Sequence, residues 1–266
     1  MKYRISLLAV SLALLVCLCG CGGPSPSTVY NKGVDAFASG NYAKAAEYFD
    51  QISDYLDAAT YGAYCHGMVL FEQQHYTEAE PYFETCQSFM YGKNRYLYCH
   101  GVALAEAEDW ATAGEVFTRL GEYEDAPARA QYCKARHAEN QQQYDEALYA
   151  YESAGDCVDA PDRLLNLQMQ IYSRACDLQT SGDYDNAIIL FTMLDDYLSS
   201  ASRLIECKSL SREATYTEAE SCCDAGEYEK AYELFRSILG YRDAGSRADE
   251  LAEILNIPIE DRSKEW

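Results

Sequence analysis

The chain has 266 residues, with 21 Lys and Arg against 43 Asp and Glu, a formal net charge of −22. That balance argues against holding nucleic acid or an anionic membrane surface by electrostatics and favours neutral or cationic partners. A hydrophobic content of 48 % and the periodicity described below exclude disorder, and with 24 Tyr beside 8 Phe and 2 Trp, tyrosine is the unusual residue.

The chain opens with Lys2 and Arg4 and then runs apolar from Ile5 to Cys19. A short basic region and about fifteen apolar residues predict a secretory signal, since a membrane-spanning helix needs roughly twenty. The run ends in Leu18-Cys19-Gly20-Cys21, which resembles the lipobox of bacterial lipoproteins: an aliphatic residue, two small residues and a Cys. The resemblance implies that residues 1–20 are a removed signal peptide and that Cys21 is acylated and becomes the new N-terminus. It also implies a location at the outer face of a bacterial cell membrane or envelope, with the lipid as the only membrane contact. An ordinary cleaved signal with Cys in its tail is the alternative. Residues 21–28, rich in Gly, Pro and Ser, read as a flexible tether.

Beyond Cys21 the chain keeps an odd number of cysteines, so at least one is free or bridges to another molecule. Export favours disulfides. The spacing argues otherwise: Cys65, Cys99 and Cys133 recur every 34 residues, each after a Tyr, as one repeat position used three times. Equivalent positions in stacked repeats lie on the order of 10 Å apart, whereas a disulfide needs Cα atoms within about 7 Å. These thiols are therefore expected to be free and buried as small hydrophobes.

Internal periodicity is the strongest signal. An aromatic residue followed by Ala three later and Phe or Tyr seven later recurs at Tyr42/Ala45/Phe49, Tyr76/Ala79/Phe83, Trp110/Ala113/Phe117, Tyr144/Ala147/Tyr151, Tyr184/Ala187/Phe191 and Tyr228/Ala231/Phe235. Offsets of three and seven share one face of an α-helix, so each instance predicts an amphipathic helix B. Twelve residues upstream of each anchor stands a Tyr (30, 64, 98, 132, 172 and 216), followed three later by Gly or Ala. This set marks a helix A. Gly40, Gly182 and Gly226, two residues before an anchor, mark the turn between A and B. After helix B come Tyr55-Leu56-Asp57-Ala58, Tyr123-Glu124-Asp125-Ala126, Cys157-Val158-Asp159-Ala160 and Tyr241-Arg242-Asp243-Ala244. The Asp is placed to cap the next helix A. Arg129, Arg163 and Arg247 follow it by four, the spacing of a helical ion pair.

The 34-residue unit and the string Tyr30-Asn31-Lys32-Gly33 … Gly40-Asn41-Tyr42-Ala43-Lys44-Ala45 … Phe49 resemble the tetratricopeptide family over roughly residues 29–256. The resemblance implies an all-α, right-handed helical solenoid of about six helix pairs, with helix A lining a concave surface that receives a protein or peptide. Two departures stand out. The Pro usual at the end of helix B is replaced by the Tyr-x-Asp-Ala turn, and units five and six carry about six and ten extra residues before Tyr172 and Tyr216. With no Gly or internal Pro in 161–180 and 200–225, the extra residues are expected to lengthen helix A. That divides the array into a regular part, 29–160, and an irregular part, 161–256, followed by a tail, 257–266.

No G-x-S-x-G, phosphate loop, H-E-x-x-H or G-x-G-x-x-G occurs, and no enzyme activity or cofactor is expected. His66 and His100 follow repeat cysteines, but adjacent repeats separate them too far for zinc, and no metal is expected. The abundant carboxylates read as a solvated face, and Cys222-Cys223 as two small residues diverging on a helix.

The resemblance implies a candidate groove of Tyr30, Tyr64, Tyr98 and Tyr132 with Phe37, Met68 and Phe71, continuing into Arg95, Arg129 and Arg136. The tyrosines read either as interhelix packing or as hydroxyls offered to a groove. Arg129 reads either as the helical partner of Asp125 or as a ligand contact. The expected function is a membrane-anchored extracytoplasmic binding or scaffold protein that recognises a protein or peptide and no nucleic acid. The alternatives are a structural subunit of an envelope assembly complex and a glycan-capturing lipoprotein.

Overall fold

The structure, a computed structural model, describes residues 23–258. Residues 1–22, which hold the expected signal peptide and Cys21, and residues 259–266 lie outside the described residues. Thirteen α-helices and no strand are found among the described residues. They form two compact units that divide between His137 and Ala138, inside a helix. Unit one holds α1 (Pro26–Ala38), α2 (Tyr42–Asp50), α3 (Ala58–Glu72), α4 (Tyr76–Thr85), α5 (Gly92–Glu106), α6 (Trp110–Leu120) and most of α7 (Ala126–Asn140). Unit two holds α8 (Tyr144–Ala154), α9 (Ala160–Ser181), α10 (Tyr184–Met193), α11 (Ser200–Ala225), α12 (Tyr228–Ser237) and α13 (Ala244–Ile254). Within each unit the strong contacts join helices consecutive in sequence, as in an all-α helical repeat.

The first helix starts inside the stretch read as tether. Ser25 accepts a hydrogen bond from the Thr28 N–H at 3.2 Å, with Pro26 as the first helical residue. This is the Ser-cap and first-turn Pro combination that favours a helix start. Each A-to-B turn needs one residue at positive φ. Gly40, Gly182 and Gly226 supply it in three units, and Gln74, Glu108 and Gln142, at φ of 61°, 61° and 59°, supply it in the others.

The helix B motif is the core. The six motif alanines and the six aromatic residues four beyond them are all buried. The small residue of helix A is explained by the same ring. A Cβ built at Gly33, Gly67 or Gly101 would stand 2.9 Å from the ring of Phe49, Phe83 or Phe117, so glycine lets helix A close on helix B.

The eighth residue of every helix A after the first is also buried: Cys65, Cys99, Cys133, Leu167, Cys207 and Leu251. None of the nine described cysteines is in a disulfide. Helices α3, α5 and α7 have 15 residues each, whereas α9 has 22 and α11 has 26. The insertions do lengthen helix A.

Candidate binding surface

The Asp of the Tyr-x-Asp-Ala turn sits at the N-cap position, yet Asp57, Asp159 and Asp243 make no side-chain cap bond. The capping expectation is corrected: other side chains take these carboxylates. Tyr30 donates its hydroxyl to Asp57 at 2.6 Å, Tyr98 donates to Asp125, and Tyr216 donates to Asp243 at 2.6 Å, each across 27 residues. In the Tyr172 unit Ser199 replaces the Asp, at 2.6 Å. Asp159 takes the Nε of Arg163 at 3.0 Å.

Two of these hydroxyls, and that of Tyr64, accept a guanidinium from 31 residues downstream. Arg95 Nε donates to Tyr64 at 3.2 Å, Arg129 Nε to Tyr98 at 2.8 Å, and Arg203 Nε to Tyr172 at 3.0 Å. Each such set ties one repeat to the start of the next helix A. The intervals of 27 and 31 hold although unit lengths vary, because the extra residues lie upstream of the tyrosine.

The phenols respond as donors to carboxylates should. Tyr30 is pushed up to about 12, first by its bond to Asp57, and Tyr216 to about 12, first by its bond to Asp243. Burial, then the bond to Asp125, raises Tyr98 further. All three remain neutral donors at physiological pH.

All ten candidate groove residues belong to unit one. Tyr64, Met68, Tyr98 and Tyr132 are core residues at 2, 4, 2 and 6 % exposure, whereas Tyr30, Phe37, Phe71, Arg95, Arg129 and Arg136 are partly exposed. They touch in succession. The Phe37 ring lies 5.9 Å from Tyr64, and Phe71 lies 5.5 Å from Tyr98. Arg95 stacks over Phe71 at 4.9 Å, Arg129 over Tyr98 at 5.3 Å and Arg136 over Trp110 at 4.2 Å. Arg136 also donates to the Tyr132 hydroxyl at 3.3 Å, and Arg129 pairs with Asp125 at 2.9 Å. The accessible strip is therefore Phe37 and Phe71 followed by guanidinium groups, with the ladder hydroxyls engaged beneath it.

Sequence reasoning missed Phe89. It lies in the α4–α5 connection and packs on Phe37, Tyr61 and Tyr64 at 6.2, 4.7 and 5.3 Å. Its register is that of Tyr55 and Tyr123, but Phe89-Met90-Tyr91-Gly92 lacks both the Tyr and the Asp that marked the turn elsewhere.

His66 pairs with Asp50 at 3.0 Å and His100 with Glu80 at 2.8 Å. Among the described residues no group of three or more His, Cys, Asp or Glu is placed to hold a metal ion, and no helix is long and apolar enough to cross a membrane. The sequence matches no protein-family model and no curated protein.

Proposed function

We propose that this chain is a lipid-anchored extracytoplasmic binding or scaffold protein of tetratricopeptide type, and that it takes a protein or peptide on the helix-A strip of unit one. The observation that carries this reading is the strip itself. Two partly exposed aromatic rings lead into guanidinium groups that are held by the tyrosine hydroxyls beneath them. A side chain fixed before the ligand arrives loses less entropy on binding. The latch bond uses Nε of Arg95, so an incoming carboxylate would be taken bidentate on the terminal nitrogens, which fixes register. The ligand that fits is an extended segment or helix with an apolar stretch followed by an acidic group. Sugar stacking is less well served, because Tyr64, Tyr98 and Tyr132 are core residues.

The anchor rests on Leu18-Cys19-Gly20-Cys21, and Cys21→Ala should release the protein from the membrane fraction or leave it unprocessed. For the strip, a photocrosslinking phenylalanine analogue at Phe37 or Phe71, activated in the native cells, should give a discrete adduct with a protein or peptide. That adduct should weaken when Arg95→Ala and Arg136→Ala are combined. An absence of adducts at both positions, or adducts indifferent to the arginines, would remove the strip as the site. Adducts made solely with large membrane subunits would favour the envelope-assembly alternative.

A further inference from the structure

A second surface of unit one, sharing no residue with the strip, lies between α6 and α7. It is a groove of about 540 Å³, within the range of sites that enclose a ligand. Trp110, Gly114 and Ala130 line its apolar part, and Arg119, Lys134 and His137 stand exposed on its rim with the single carboxylate of Glu115. With His neutral, Arg119 and Lys134 against Glu115 leave the rim one charge positive in a chain of net charge −22.

Gly114 has no packing reason to be glycine. A Cβ there would meet Cys133 Cβ at 3.5 Å and the Ala130 carbonyl oxygen at 3.8 Å, ordinary contacts. At the same register the other units carry Ala46, Glu80, Leu148, Ile188 and Tyr232. Glycine inside a helix is disfavoured relative to alanine, so its effect here is to leave the floor of the groove open.

Trp110 forms part of the groove's apolar wall at 7 % exposure. Arg136 braces the ring at 4.2 Å and Tyr132 meets it edge-on at 6.0 Å.

We infer that this groove is a docking site for an acidic peptide segment of a partner protein. One large apolar side chain would occupy the space over Gly114, and flanking carboxylates would face Arg119, Lys134 and His137. The rim charges set the sign of the partner, and the missing side chain at position 114 sets the size of what enters.

The test uses the detergent-solubilised full chain carrying Trp266→Phe, so that Trp110 is the only indole. The probe is the blocked peptide Asp-Glu-Phe-Leu-Glu-Asp, compared with its counterpart bearing Lys for every acid. The acidic probe should shift Trp110 emission saturably and the lysine probe should not. Gly114→Leu should weaken the acidic probe more than about tenfold by filling the space it needs. Leu148 occupies that register in the next unit, buried at 6 %, so circular dichroism should show the variant folded. Should it prove unfolded, Arg119→Glu with Lys134→Glu decides: affinity should fall about tenfold and lose its salt dependence. Equal binding of the two probes, no saturable shift up to millimolar probe, or unchanged affinity in the folded Gly114→Leu protein or the charge-reversed protein would overturn the proposal.

Discussion

Removing one oxygen atom from Tyr98 tests whether the phenol–carboxylate–guanidinium latch stabilises the repeat. In Tyr98→Phe the ring keeps its neighbours Tyr76, Phe71 and Phe117, at 5.1, 5.5 and 5.8 Å. The hydroxyl alone is lost, and with it the bond donated to Asp125 and the bond accepted from Arg129 at 2.8 Å. Hydrogen bonds to charged groups contribute about 1.5–3 kcal/mol each, and a buried partner left stranded adds to the loss. Neither partner is fully stranded, because Arg129 and Asp125 still hold each other at 2.9 Å and the Asp125 side chain is 47 % exposed to water. The net loss should therefore be about 1–3 kcal/mol. Tyr30 provides the internal control. It makes the bond to Asp57 in an exposed setting, and Tyr61 stands where the next unit has an arginine. Tyr30→Phe should cost about 0.5–1 kcal/mol. Urea denaturation read by Trp110 emission, in the Trp266→Phe background, follows unit one. A shift of midpoint at constant slope reports stability. A loss for Tyr98→Phe below about 0.5 kcal/mol, or no larger than that for Tyr30→Phe, would refute the claim that the latch carries stability.

Alkaline pH should weaken the same device. A free phenol ionises near 10 and Tyr30 is held neutral up to about 12, so its contribution is complete below about pH 10 and is lost as pH rises towards 12. Urea midpoints should fall across that window, and less steeply in Tyr30→Phe. Burial pushes the thiols of Cys65 and Cys99 to about 12, so both should resist a thiol reagent at pH 8 in the folded protein and react once it is denatured without reductant; disulfides recovered at these positions would contradict the buried-thiol reading. Gly67→Ala should destabilise by about 1–2 kcal/mol through the Phe83 ring at 2.9 Å, whereas Gly114→Ala should stabilise by about 0.5–1 kcal/mol, since its Cβ has room; thermal melts that reverse this order would refute the packing argument.

The core could be read from the sequence because its signal is local and periodic. Offsets of three and seven on one helix place Ala45 and Phe49 in the core, and the same holds down to Ala231 and Phe235. The long helices α9 and α11 were legible for a negative reason, the lack of any residue that would stop them. Local reasoning failed where the partner is distant. Asp57 was read as a cap for the helix it precedes, but its carboxylate goes to a tyrosine 27 residues earlier. The helical pair Arg129–Asp125 was visible at a spacing of four, whereas the bond from Arg129 to Tyr98 spans 31 and has no helical period to announce it. The turn residues Gln74, Glu108 and Gln142 adopt positive φ without the glycine that would have marked them. For the candidate strip, spacing named residues whose side chains touch but did not separate Tyr64 and Met68, in the core, from Phe37 and Phe71, which are partly exposed.

The constant intervals also show where this repeat tolerates insertion. In the 15-residue helices α3, α5 and α7 the latch tyrosine is the seventh residue and the buried Cys is the eighth, so two packing duties are adjacent. In α9 the buried residue is still the eighth, Leu167, but the tyrosine is Tyr172, six positions later than its register in the short helices. In α11 Cys207 keeps its place and Tyr216 lies ten positions later. At about 100° per residue, six and ten extra residues turn the second face by roughly 240° and 280° relative to the first. The tyrosine still reaches its partners 27 and 31 residues on, Ser199 and Arg203 for Tyr172. The insertion therefore leaves the bonds from the tyrosine to the following helix A intact and turns the tyrosine's face of the helix relative to the face of its eighth residue. A chain that lengthens this helix by a non-integral number of turns can redirect its surface at the cost of no core contact in the helix B motif, where Ala187, Phe191, Ala231 and Phe235 are as buried as their counterparts in the regular units.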